Sequence, residues 1–179
     1  MRKIHLVTAS ILAMTLIAGV SATRVFAQGG TIDKTTYLTF SGPVQVPGVT
    51  LPAGKYVFRL ANPASPSVWQ VFDASQKHLL AQFFFVPTRE RTIPEVNKAD
   101  GKPVVRFHET VQGVPPAVRI LYYPTDLSGS VFMYPKAQAQ RIAAAAHQPV
   151  LALDENAAPG DVARAITVEP PTTGAAASK

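Results

Sequence analysis

Three histidines lie beyond the N-terminal region, His78, His108 and His147, and His108 is followed directly by an acid, Glu109. Imidazole and carboxylate are ordinary ligands of zinc and copper, so His108 with Glu109, joined by His78, makes the candidate metal set. Adjacent residues of a strand point to opposite faces, so this pair can serve one ion only across a bulge. His78 falls in an expected turn and His147 at the end of an expected helix, where a cation suits the dipole. A serine nucleophile needs a base and an orienting acid, and the strained Gly-x-Ser-x-Gly elbow is absent. Ser128-Gly129-Ser130 reads as turn chemistry before a strand. Asp73, Glu90, Glu95, Glu109 and Asp126 could supply paired carboxylates for glycoside cleavage. Each of them adjoins a turn or a basic residue, as solvated surface acids do. Apart from Gly29-Gly30 the glycines are scattered singly, without a phosphate loop or dinucleotide fingerprint. These patterns point to no catalytic residue and no cofactor.

Aromatic side chains offer a second chemistry. Trp69, Tyr122, Tyr123 and Tyr134 could stack on a sugar or peptide, and Tyr123 shares a strand face with Arg119. Trp69, Tyr123 and Arg119 are therefore the candidate ligand platform of a carbohydrate-binding module. The competing reading is that aromatics in short strands fill a core.

The elements that must position these residues are strands. From Tyr37 to Leu153 the chain is a succession of short runs rich in β-branched and aromatic residues, broken by turn residues. Lys55 to Ala61 alternates, with Tyr56, Phe58 and Leu60 on one face. Ser67 to Asp73 and Leu79 to Val86 predict a hairpin with a loop of five residues, 74–78. The second run is apolar on both faces except at Gln82, which predicts a strand covered on both sides and ended by Pro87. Residues 88–103 form a long polar connection, the first place to look for a site. Lys136 to His147 is Ala-rich and predicts the single helix, entered after Pro135 and followed by a short strand at 150–153. Fourteen of the fifteen aromatics lie between Tyr37 and Tyr134. The expected fold is all-β: an antiparallel β-sandwich or small barrel of about seven or eight strands, with one helix near the C-terminus. Crossover helices for a parallel α/β sheet are missing.

The chain has 179 residues and no cysteine, which suits one domain without disulfides or thiolate metal sites. Arg2 and Lys3 precede an apolar stretch from Leu6 to Ala22, with small residues at Val20-Ser21-Ala22 and Val25-Phe26-Ala27. That is the pattern of a secretory leader, so residues 1–27 are expected to be a signal peptide cut after Ala27, or else after Ala22. The mature chain then has no spanning segment and resides in the periplasm or outside the cell. Losing Arg2, Lys3 and Arg24 lowers the net charge from +6 to +3. The remaining cations are spread singly, without the basic stripe and interleaved aromatics of a nucleic-acid site. An anionic glycan or another envelope component is the partner class this charge supports. Residues 28–36 read as a linker, 37–153 as the β-rich domain, and 154–179, rich in Ala and Pro with no aromatic, as a disordered tail.

Several motifs in fixed order carry a resemblance. They are Val46-Pro47-Gly48-Val49-Thr50-Leu51-Pro52-Ala53-Gly54-Lys55-Tyr56, Val71-Phe72 before a strand ending Val86-Pro87, Val105 to Glu109, Tyr122-Tyr123-Pro124-Thr125-Asp126, and Val131-Phe132-Met133-Tyr134-Pro135-Lys136 with the helix and Pro149-Val150-Leu151-Ala152 behind it. Over about two thirds of its length the chain resembles a family of small exported bacterial proteins. Thr125 stands where that family's pattern has glycine. The resemblance implies export and a shared architecture, and brings no catalytic residues. The expected function is an exported, non-enzymatic β-domain with a binding or structural role; the alternatives are a small metal-binding protein or hydrolase using the 88–103 connection with His108 and Glu109, and the carbohydrate-binding module.

Overall fold

The structure, a computed structural model, describes residues 34–62, 67–91, 101–124, 126, 128–154 and 164–172. All of them belong to the unit Thr31–Lys179, the larger of the two into which the chain divides. The expected leader and residues 92–100 of the long connection lie outside the described residues, as does Thr125.

The fold is all-β with one helix near the C-terminus. In chain order the elements are β1 (Thr35–Phe40), β2 (Val44–Val46), β3 (Val49–Leu51), β4 (Gly54–Leu60), β5 (Val68–Asp73), β6 (Leu79–Arg91), β7 (Val104–His108), β8 (Ala117–Tyr122), β9 (Ser128–Phe132), α1 (Lys136–Ala146), β10 (Val150–Leu153) and β11 (Ala165–Val168). Nine strands join in the order β1-β4-β5-β6-β9-β8-β2-β3, with β7 also on β8, while β10 and β11 pair separately. The order is open at β1 and β3, so no barrel closes. The sheet is mixed rather than purely antiparallel, because β2 meets β8 in parallel, Gln45 opposite Ala117.

The long strand β6 turns this sheet into two sandwich-like layers. Its first half pairs with β5, Val68 opposite Phe84, and its second half with β9, Phe85 opposite Phe132. Rings meet between the layers: Phe58 of β4 lies 6.5 Å from Phe132 of β9, and Phe40 of β1 lies 6.4 Å from Phe107 of β7. Pro87 does not end β6 as expected. It sits opposite Ser130 beside a register shift, the kind of irregularity at which a residue without an N–H is tolerated. Nor is β6 covered on both sides: Phe83 is buried, whereas Phe84 is 40% exposed. Ser128-Gly129-Ser130 belongs to β9 rather than to a turn. A Cβ on Gly129 would lie 2.5 Å from Ile120 Cγ2, so glycine is what lets β9 close on β8.

Side chains of the C-terminal part lock the second layer. The buried Tyr134 hydroxyl donates to the Val118 carbonyl at 2.7 Å, with the Gln45 carbonyl at 3.1 Å. Gln138 of α1 clasps the β2–β3 turn, its Nε2 donating to the Val46 carbonyl at 3.1 Å and its Oε1 accepting from Gly48 N–H at 2.8 Å. Gly48 has φ +87, the left-handed value that the position after Pro47 requires in such a turn.

Two expected boundaries are corrected. Thr35 and Thr36, assigned to the linker, already pair with Arg59 and Phe58. Within the span expected to be a disordered tail, Ala165–Val168 forms a strand on β10, and Ile166 and Val168 pack against the core. Composition averaged over 154–179 hides this alternating pair. A chain ending at Leu153 is therefore expected to lose about 2 kcal/mol, a fall of roughly 5 °C in melting temperature, because two half-buried aliphatic side chains are removed. Ile166→Ser in the complete chain should reproduce much of that fall in a thermal melt; an unchanged melting temperature would show that β11 contributes nothing.

Candidate functional site

A concave feature lies between two connections at one end of the strands. Ser41-Gly42-Pro43 connects β1 to β2, and residues 109–116 connect β7 to β8; between these two connections opens a cleft of about 660 Å3. Its floor is Phe40 and Phe107, which alternate inward on their strands and meet edge to face. Pro43 and Val44 form one wall, and Val114, Pro115 and Pro116 the other. Among the described residues Glu109 is the only charged one that lines it.

The second wall is fixed by hydrogen bonds. Gln45 holds it twice, its backbone N–H donating to the Pro116 carbonyl at 2.8 Å and its Nε2 to the Pro115 carbonyl at 2.7 Å. Thr110 Oγ1 donates to the Val114 carbonyl at 2.6 Å, and Val111 N–H to Ala145 at the end of α1. Two prolines and four such bonds leave the wall little freedom, so the cleft is largely formed before any ligand arrives. Beyond Glu109 and Phe107 runs a second groove of about 420 Å3, to which Arg106 and Arg119 contribute. An apolar recess with ionised groups at its mouth can hold a ligand that has an apolar body and a polar end.

The residues expected to bind metal are not brought together. His108 is 4% exposed and Glu109 is exposed, as strand alternation requires. Burial pushes the His108 imidazole down to about 4; the nearby Arg119 charge adds to this, and a Gln148 hydrogen bond opposes it. The ring is neutral at pH 7. His78 belongs to the other layer, at the tip of the β5–β6 hairpin, with its Nδ1 2.8 Å from Asp73 Oδ2. Asp73 also accepts from Ser75 Oγ and from the N–H groups of Lys77 and His78, so its carboxyl is held well below the usual range, first by His78 and then by Ser75. That network closes a turn. Among the described residues, no group of three His, Asp or Glu could hold a metal ion.

The aromatic platform is likewise not assembled. Trp69 is 1% exposed, packed against Phe85 at 5.9 Å, with Nε1 buried and without a hydrogen-bond partner among the described residues. It lines a small recess of about 160 Å3 beside the Lys34–Asp126 ion pair at 2.7 Å. Tyr123 is half-buried beneath the Lys34 ammonium, and Arg119 lies in the groove next to Phe107. Tyr122 and Tyr134 are core residues.

No protein-family model matches this chain, and no curated protein or solved structure does either. Its own chemistry is what assigns the site. Of the cleft residues, the sequence pointed only to Glu109. The signal for the rest was present as two proline-bearing turns, Ser41-Gly42-Pro43 and Gly113-Val114-Pro115-Pro116, but nothing local says that turns 70 residues apart face one another.

Proposed function

We propose that this chain is an exported binding domain of the periplasm or cell surface, acting without catalysis, and that its ligand enters the cleft between Pro43 and Pro116. The observation that carries this reading is a preformed recess of about 660 Å3 with an aromatic and proline lining and a single carboxylate. The basic, then apolar, then small-residue order of the first 27 residues supports export, as does the resemblance to small exported bacterial proteins. The ligand's apolar part fills the space over Phe40 and Phe107, and its polar end meets Glu109 or the Arg106–Arg119 groove.

N-Phenyl-1-naphthylamine, a neutral apolar dye, tests this directly. Its fluorescence should rise saturably with the wild-type chain. Val114→Trp, at a residue 37% exposed on the cleft wall, should weaken the dye about tenfold while leaving the melting temperature in place. A wild-type chain that gives no saturable signal, or a signal that Val114→Trp leaves intact, would refute the assignment.

A further inference from the structure

Six large apolar side chains are conspicuously exposed among the described residues, and they fall into two groups. Val111 and Val114 belong to the connection that walls the cleft. Tyr37 at 52%, Leu79 at 50%, Leu80 at 39% and Phe84 at 40% all stand on the outer face of β1-β4-β5-β6. The strand register aligns this second group. Tyr37 is opposite Val57, Val57 opposite Phe72, and Phe72 opposite Leu79, so one apolar row crosses four strands, a width of about 14 Å, covered at Val57 and open on either side of it. The register shift beside Phe72 puts both Leu79 and Leu80 on that side. Phe84, opposite Val68, extends the apolar surface beyond the Gln70–Gln82 pair.

Three cations border the row, and one acid, Asp73, stands at its hairpin end. Lys55 Nζ lies 5.2 Å from the centre of the Tyr37 ring, and the Arg59 guanidinium 4.5 Å from that of Phe72. Lys77 follows at the hairpin tip, directly before His78, Leu79 and Leu80. Of the acids of the described residues, Asp73 shares the hairpin tip with Lys77 but is taken up by His78 and Ser75, Glu90 stands on the half of β6 that pairs with β9, Asp126 is paired with Lys34, Glu109 lines the cleft, and Asp154 and Glu169 flank β10 and β11.

We infer that the outer face of β1-β4-β5-β6 docks on an anionic lipid surface, with Tyr37, Phe72, Leu79, Leu80 and Phe84 entering the interface and Lys55, Arg59 and Lys77 meeting the headgroups. The charge pattern selects this occupant. A second copy laid on the same face would set these cations against their own counterparts, with Asp73, already engaged within its own turn, as the acid at that edge. The Lys55 and Arg59 charges lie over rings of the row itself, and their long stems let them reach headgroups as the apolar surface is covered, the arrangement of an interfacial site. Apolar side chains spread over four strands suit an extended surface, whereas the cleft suits a single small ligand. This assignment is independent of the ligand proposed for the cleft.

Vesicle co-sedimentation of the unit Thr31–Lys179, which holds the whole described core, tests it without interference from the apolar N-terminal stretch. Phosphatidylcholine vesicles with about 30% phosphatidylglycerol should bind the unit about tenfold more strongly than phosphatidylcholine alone, and added salt should reduce the difference. Lys55→Glu with Arg59→Glu should bring binding down to the phosphatidylcholine level. Leu80→Ser with Phe84→Ser should lower binding to the mixed vesicles about tenfold, with an unchanged melting temperature because both positions are exposed. Equal affinity for the two vesicles, or binding that survives both double variants, would overturn the inference. So would concentration-dependent dimerisation abolished by Phe84→Ser, which gives the face to a second copy, or tight heparin binding without vesicle binding, which gives it to a soluble polyanion.

Discussion

Phe132→Ala should cost about 3–5 kcal/mol of folding stability, the range for truncating a buried aromatic, out of a total of roughly 5–15 kcal/mol. Phe132 is 1% exposed and stands where the two layers meet. Its ring lies 4.5 Å from that of Phe83 and 6.5 Å from that of Phe58, nearly parallel to the latter. Alanine removes the ring from both neighbours at once. The resulting void cannot collapse easily, because Phe58 is held by the β4 ladder and Phe83 by β6 pairing with β5. With a urea dependence of roughly 2 kcal/mol per molar, the unfolding midpoint should fall by about 2 M. Phe84→Ala, one residue along the chain from Phe83, is the control: its ring meets solvent, so its midpoint should move by no more than about 0.3 M. Similar losses for the two variants would show that the layers do not face each other through Phe132.

The contrast between Phe83 and Phe84 also marks how far the sequence could be read. Alternation in Lys55–Ala61 identified the buried face of β4, because polar residues label the outer face. Leu79–Phe85 carries a single such label, Gln82, between apolar neighbours on the same face, so the strand reads as buried on both sides. Only the pairing partners show that Phe83 faces Phe132 and that Phe84 lies beside Val68 on an open face. The helix was legible because Ala-rich composition and Pro135 act locally. β11 was not, since Ile166 and Val168 form a strand only where β10 offers an edge. The same distinction separates the candidate sites. His108–Glu109 attracts notice as a pair in sequence, yet strand geometry separates them. Phe40, Pro43, Val114 and Pro116 have no common sequence pattern and become a cleft because β2 joins β8 in parallel, bringing the β1–β2 connection beside the β7–β8 connection.

The second large effect belongs to His108 and depends on pH. The ring is buried at the end of β7, opposite Ala117, with Nδ1 lacking a hydrogen-bond partner among the described residues and Arg119 close by. Burial first, and the Arg119 charge second, disfavour the imidazolium and bring the folded pKa to about 4, whereas the unfolded chain titrates near 6.5. Between those values the unfolded chain takes up a proton that the folded chain refuses. Stability contributed by the neutral ring is therefore complete above about pH 7 and declines as the pH falls to 4, by about 3 kcal/mol in all. Asp73 acts in the same direction but lower, since its folded pKa lies below the ordinary carboxylate value and its contribution declines only in strong acid. Urea melts at pH 7.5, 5.5, 4.5 and 2.5 separate the two, and His108→Gln should flatten the decline between 6.5 and 4.5 while leaving the more acidic limb. A His108 ring signal that titrates near 6.5 in the folded protein would refute the argument, because it would place the imidazole in contact with water. A ring turned away from Glu109, lining neither the cleft nor the groove beside it, stabilises the junction of β7 and β8.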